Sequence, residues 1–218
     1  MGTAYLAGTL LAKAHFSTFA HWTVEGKEGV PPKGPLIIVS NHLSNADPCF
    51  LSASIPRMLH FLAKRNLFSN PLASAFLHAV NVHPVSRDGA DLAAIRICLQ
   101  LLGRDQPILF FPEGSRSRTG GMQRARAGVA YIATRSQAPI LPVAITGTER
   151  IPSYWRIPFP LCRVNVRIGQ PFSLPVVEGK LSRPVLENMN DAIMQRVASL
   201  LPEEYQGHYT PTKTAIQG

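Results

Sequence analysis

The sequence predicts a layered α/β fold, with a largely parallel central sheet flanked by helices and an apolar helix ahead of it. Three observations predict it. From Leu36 onward, short runs of strand-forming residues alternate with helical segments, the order that builds a parallel sheet covered by helices. The run Leu36-Ile37-Ile38-Val39 is continuously apolar, as a strand covered on both faces is. The densest polar segments fall directly after such runs, at the carboxyl ends of strands, where sheets of this kind gather their sites.

The elements follow in order. Residues 4–22 are nearly all apolar or small, with Thr9, Lys13 and Ser17 on one narrow stripe, so a helix here is greasy around most of its circumference. Two readings stand for it: a helix buried against the domain, or an anchor lying in a membrane interface. It lacks a charged leader and a small-residue cleavage signal, so a secretory signal is not expected. No stretch reaches the roughly 18 uninterrupted apolar residues of a spanning helix. A Pro/Gly-rich link over 29–35 follows, then a buried strand over 36–40. Asp47-Pro48 reads as a capping acid followed by proline at the first helical position, starting a helix that runs to about Ile55. Next come a strand over 60–63, a helix over 71–78 and a strand over 81–85. An amphipathic helix over 91–102 is closed by Gly103. A strand over 107–111, a helix over 127–135 and a strand over 140–145 continue the alternation. Residues 163–168 alternate polar and apolar, as an edge or half-buried strand does. The last helix covers 184–200. The expected division is 1–28 as the apolar N-terminal helix, 29–202 as the main domain and 203–218 as a loose polar tail.

The chain has 218 residues and a formal net charge of +9, which attracts anionic partners such as lipid headgroups or phosphorylated small molecules. Its arginines are scattered through loops, without a dense Lys/Arg run and without obvious basic-aromatic interleaving of a single-strand binder, so charge alone does not choose among nucleic acid, lipid headgroups and phosphorylated small molecules; nucleic acid falls away as a partner only with the resemblance below. Cys49, Cys98 and Cys162 are odd in number and widely spaced; they read as thiols of a reducing compartment, not as a zinc site.

Two segments carry chemistry. In Asn41-His42-Leu43-Ser44-Asn45-Ala46-Asp47, an imidazole and a carboxylate stand five positions apart. Histidine is mostly neutral yet basic near neutral pH, and a carboxylate on its other nitrogen fixes the tautomer and stabilises the imidazolium. Such a pair can take a proton from an alcohol. The plainer reading is a helix cap beside a surface histidine. In Phe111-Pro112-Glu113-Gly114-Ser115-Arg116-Ser117, a Gly-containing loop presents arginine forks and hydroxyls suited to phosphate. Arg124 and Arg126 follow within reach as further anion contacts. The plainer reading is a solvated basic loop. Neither a Walker loop nor a Gly-x-Ser-x-Gly elbow is present.

These residues resemble the glycerolipid acyltransferase family, in particular its bacterial 1-acyl-sn-glycerol-3-phosphate acyltransferases. Residues 41–47 look like its first motif, Asn-His-x-Ser-x-x-Asp. Val82-His83-Pro84-Val85-Ser86-Arg87 looks like its second. Residues 111–117 look like its third, with Ser115 for the usual threonine, and Leu141-Pro142-Val143-Ala144 looks like its fourth. Departures are Ser86 where an acid is common, Asn81 where glycine is common and Asn66 where glutamate is frequent. The resemblance implies that His42, oriented by Asp47, deprotonates the sn-2 hydroxyl of a lysophospholipid acceptor, which attacks acyl-CoA or acyl-carrier protein with no acyl-enzyme. It implies that Arg87, Glu113 and Arg116 hold the glycerol phosphate, and that Gly114 and Ser115 shape the loop. Pro142 has no N–H, so the oxyanion or donor contact falls to a neighbour, Val143. No metal or redox cofactor is implied. The expected place is the membrane lipid surface at its cytoplasmic face, as a peripheral or monotopic protein. The same chemistry on another lyso-lipid, a lyso-ornithine lipid or a glycolipid, is the near alternative. A catalytically silent lipid-binding membrane protein is the alternative of a different class.

Overall fold

The computed structural model describes residues 3–86, 92–126, 128–151, 153–177, 179 and 181–211. Its strands are β1 (His21–Glu25), β2 (Leu36–Ser40), β3 (His60–Lys64), β4 (Val82–Val85), β5 (Pro107–Phe110), β6 (Ile140–Thr146) and β7 (Arg163–Ile168). The helices are α1 (Thr3–Phe19), α2 (Asp47–Ser54), α3 (Pro71–Ala79), α4 (Leu92–Leu102), α5 (Gly128–Ser136), α6 (Arg183–Ala198) and α7 (Glu203–Gln206). The seven strands form one sheet in the order β1-β7-β6-β2-β5-β3-β4. Every neighbouring pair is parallel except β6 with β7, so the largely parallel sheet expected from the alternation is what the chain forms.

The pleat sorts side chains into two cores. Leu36, Ile38, Leu141, Val143 and Val166 pack with Phe16 of α1 and Phe50 and Leu51 of α2. Ile37, Val39, Ile108 and Ile140 pack with residues of α4, α5 and α6 on the other face. Strands β2 and β6 are buried at every residue, which is why both read as unbroken apolar runs. Because β2 and β5 are neighbours paired in parallel, their carboxyl ends lie side by side. The loops that follow them therefore meet.

Three expectations are corrected. First, residues 1–28 are not a helix apart from the domain. The chain turns after Phe19, and β1 adds to the sheet beside β7, with Thr23 and Asn165 bonded at 2.7 Å and Arg167 and Glu25 at 3.2 Å. The alternating β7 is thus half-buried but internal, and β1 takes the edge. Helix α1 packs one face against the domain, as the first of the two readings has it. Phe16 is 2% exposed and stacks on Phe50 at 3.9 Å between ring centroids, and the Tyr5 hydroxyl accepts from the Leu59 amide. Leu6, Leu10 and Leu11 point outward.

Second, the tail is not loose through residue 211. The Tyr205 carbonyl accepts from Met122 N–H, and the Tyr209 hydroxyl accepts from Ala125 N–H while lying 3.2 Å from Asp191. Two aromatic residues in a polar stretch anchor it. Third, Asp47 is the first residue of α2 rather than its cap, and its carboxylate is turned away from the helix amides. The three thiols are free, Cys98 and Cys162 buried and Cys49 exposed.

Candidate active site

The site is built where β2 ends. Asn41 extends the strand with its side chain: its carboxamide donates to the Ile145 carbonyl at 2.8 Å and accepts from the Ile145 amide at 2.9 Å. The backbone then leaves the sheet at His42. The loop after β5 holds both backbone polar groups of His42, since its N–H donates to Glu113 Oε1 at 2.9 Å and its carbonyl accepts from Ser117 N–H at 2.8 Å. The two sequence segments are thus fastened to each other through this histidine.

The imidazole lies flat on Phe111, with ring centroids 4.1 Å apart and planes at 20°. Its Nδ1 is 2.7 Å from Asp47 Oδ2. That oxygen also accepts from the amides of Leu43 at 2.7 Å and Ser44 at 2.8 Å, and Oδ1 accepts from the Thr148 hydroxyl. Asp47 is fully buried, and a buried carboxylate needs such a set of donors to stay ionised. A carboxylate holding two backbone N–H groups on one oxygen is an acceptor, so Nδ1 is the ring nitrogen that carries the proton. Nε2 keeps its lone pair, and the ring retains 17% side-chain exposure. This is the arrangement of an oriented general base.

Glu113 is 4% exposed, and burial pushes its carboxyl above the usual carboxylate range, against the amides of Gln123 and His42 that pull it down. Both oxygens are used: Oε1 by His42 N–H and Oε2 by Gln123 N–H at 2.8 Å. Gly114 has φ of +74°, and a Cβ there would lie 3.1 Å from Arg126 Nε, so glycine lets the loop turn beneath that side chain.

A model of the family described as Acyltransferase matches residues 21–146 of this chain. The chain belongs to the acyltransferase family. Among similar proteins, the 1-acyl-sn-glycerol-3-phosphate acyltransferase of Bacillus subtilis is 28% identical over 178 residues, covering 81% of this acyltransferase and 86% of that protein. One from Chlamydomonas reinhardtii is 29% identical over 212 residues, covering 94% of this chain but 60% of its own. The fold matches the crystal structure of the 1-acyl-sn-glycerophosphate acyltransferase PlsC from Thermotoga maritima with a TM-score of 0.69 at 24% identity, covering 90% of this chain and 79% of that one.

Within this acyltransferase, His42, Asp47, Glu113 and Gly114 come together as the sequence suggested. With each oxygen bonded to a backbone amide, Glu113 clamps the loop of His42 to its own. Ser115 and Arg116 are exposed on the same loop. Arg87 lies outside the described residues. Val143 does not serve as an oxyanion donor: it is fully buried inside β6, paired with Ser40 on one side and Ile168 on the other, so its backbone belongs to the sheet. Arg126 lies over Gly114, whereas Arg124 turns to α6, 3.8 Å from Glu187. Those arginines, Arg183, Glu187 and Asp191 border a groove of about 290 Å³.

Thr148 escapes sequence reading, and the motif residue Ser44 has a partner that only the fold reveals. Thr148 follows Gly147, whose φ of +90° and 1.8 Å Cβ approach to the Arg163 carbonyl admit only glycine. Ser44 donates to the Ile151 carbonyl at 2.7 Å. The usable signal for Thr148 is its place just past a central strand, at the same sheet end as His42.

Proposed function

We propose that the protein transfers a fatty acyl group from an acyl thioester to the sn-2 hydroxyl of 1-acyl-sn-glycerol-3-phosphate, giving phosphatidate for phospholipid synthesis. The observation that carries this reading is the imidazole held between Asp47 and the loop of Glu113, with one ring nitrogen free. The names of the similar proteins support the acceptor. The donor is acyl-CoA or acyl-carrier protein, and the protein works peripherally at the cytoplasmic face of the membrane.

In this reading His42 Nε2 takes the hydroxyl proton as the oxygen attacks the thioester carbonyl. The tetrahedral intermediate collapses with cleavage of the C–S bond, and the proton passes from His42 to the leaving thiolate. Asp47 stabilises the imidazolium in between. The side chains of this chain suffice for each proton, so the reaction calls for no metal or redox cofactor. Arg116, exposed beside Ser115, faces the acceptor phosphate, Arg126 adds charge to the same loop region, and the second motif gives Arg87 to the same phosphate.

The test is a panel of lyso-acceptors offered with one acyl-CoA to purified protein, the products identified by mass spectrometry. Phosphatidate is the expected main product. Preference for an acceptor without phosphate would replace lysophosphatidate by another lyso-lipid. His42→Ala should lower kcat by roughly a hundred- to ten-thousand-fold in a protein with unchanged circular dichroism. Undiminished transfer by that variant would remove the general-base assignment.

A further inference from the structure

Between β6 and β7 the chain crosses the surface beyond the span that the family model matches. There Trp155 is 91% exposed, Leu161 72% and Phe159 55%. Three large apolar side chains left exposed within seven positions point to a contact surface. The segment from Ser153 to Arg163 contains no acidic residue, and Arg150, Arg156 and Arg163 are all exposed around it. Glu149, just before, accepts a hydrogen bond from the Tyr205 hydroxyl at 3.0 Å. The charge surrounding the apolar side chains is therefore positive.

Both ends of this segment are fastened to informative places. At one end, Leu161 N–H donates to the Phe19 carbonyl at 3.0 Å, and the Phe159 ring meets Phe19 edge-on at 5.3 Å. The segment is thus continuous with α1, the helix that turns Leu6, Leu10 and Leu11 outward. At the other end, the Ile151 carbonyl accepts from Ser44 of the His42–Asp47 loop, and the Ile151 amide donates to the carbonyl of Thr148 at 2.8 Å.

We propose that this crossing segment is a second lipid-contacting element. Trp155, Phe159 and Leu161 enter the interface of an anionic bilayer, and Arg150, Arg156 and Arg163 lie against its headgroups. Tryptophan prefers that depth, and each arginine near an anionic surface adds attraction. Together with the outward leucines of α1 the segment gives two separated contacts, which fix an orientation where one helix alone would leave the protein free to roll. The inference extends the lipid-acceptor reading, because it holds the loop bearing His42 at the surface where such an acceptor resides.

The chain has two tryptophans, and Trp22 packs against Phe16 and Phe50. In full-length Trp22→Phe protein, Trp155 becomes the single reporter. On mixing with vesicles of phosphatidylglycerol and phosphatidylcholine, its emission should shift to the blue and be quenched by brominated lipids. If that variant does not fold, the difference between the wild type and Trp155→Leu reads the same signal. Trp155→Glu combined with Phe159→Glu should lower the fraction sedimenting with these vesicles about tenfold. Transfer to a water-soluble short-chain lyso-acceptor should be unchanged. Vesicle binding without shift or quenching, or full sedimentation of the double variant, overturns the proposal. Quenching in a protein that transfers no acyl group would support this element while removing the function proposed above.

Discussion

At the residue scale, the carboxylate of Asp47 is the centre of the site, because it gathers donors from two distant parts of the chain. His42, Leu43 and Ser44 come from its own loop, whereas Thr148 comes from beyond β6, 101 positions away. A hydroxyl on Oδ1 holds the carboxylate plane so that Oδ2 faces the imidazole. Thr148→Val removes that donor while keeping the shape, leaving a buried charged oxygen without a partner. We expect kcat to fall about ten- to a hundredfold, the equivalent of a lost hydrogen bond to a charged group at roughly 1.5–3 kcal/mol, with the Michaelis constant for the acyl donor nearly unchanged. Thr148→Ser should restore most of the rate.

The His42–Asp47 pair is legible in the sequence because its spacing is local: five positions close one tight loop. The roles of Thr148 and Glu113 are not, since what each bonds is decided by which strands become neighbours. Glu113 illustrates the difference. Its neighbourhood of arginines suggests a ligand contact, and only the fold reveals that its two oxygens reach the amides of His42 and Gln123.

At the element scale, α1 separates stability from surface contact. Its inner face stacks Phe16 on Phe50, and its outer face leaves Leu11 71% exposed. Phe16→Ala should lower the unfolding free energy by about 3–5 kcal/mol, as aromatic truncations in a core do, measured by urea titration. Leu11→Ser should change it by less than about 0.5 kcal/mol while weakening vesicle association. Equal destabilisation by both would make the helix an ordinary core element. The strands β2, β5 and β6 were readable because burial on both faces leaves an apolar run. Strand β1 was not, because the largely apolar stretch of α1 runs on through Trp22 and only the partner strand β7 gives residues 21–25 a reason to extend.

At the scale of the whole molecule, the far edge of the sheet carries a pH response. His60 of β3 and His83 of β4 lie with Nδ1 and Nε2 3.0 Å apart. Burial, then the neighbouring charge of His83, holds His60 below the ordinary histidine value, and burial, then His78, does the same for His83. The unfolded chain, with histidines titrating near 6.5, therefore binds protons more readily than the folded one. Stability is at its full value above about pH 6.5 and is lost as pH falls through the lowered folded values. Thermal unfolding followed from about pH 7 to pH 5 should show a falling midpoint, and His60→Leu should flatten that fall. A slope unchanged by His60→Leu would assign the acid sensitivity elsewhere.

The pairing of β1 with β7 also governs the order in which a growing chain can complete itself. Strand β1 emerges early from the ribosome, and its mate follows 142 residues later. At the usual elongation speed of about 5–20 residues per second, that is a wait of roughly 7–30 seconds. Helix α2, by contrast, arrives soon after α1, so Phe16 can find Phe50 while synthesis is under way. The N-terminal helix is thereby moored first, and the outermost strand joins last, closing the sheet over its longest loop in sequence.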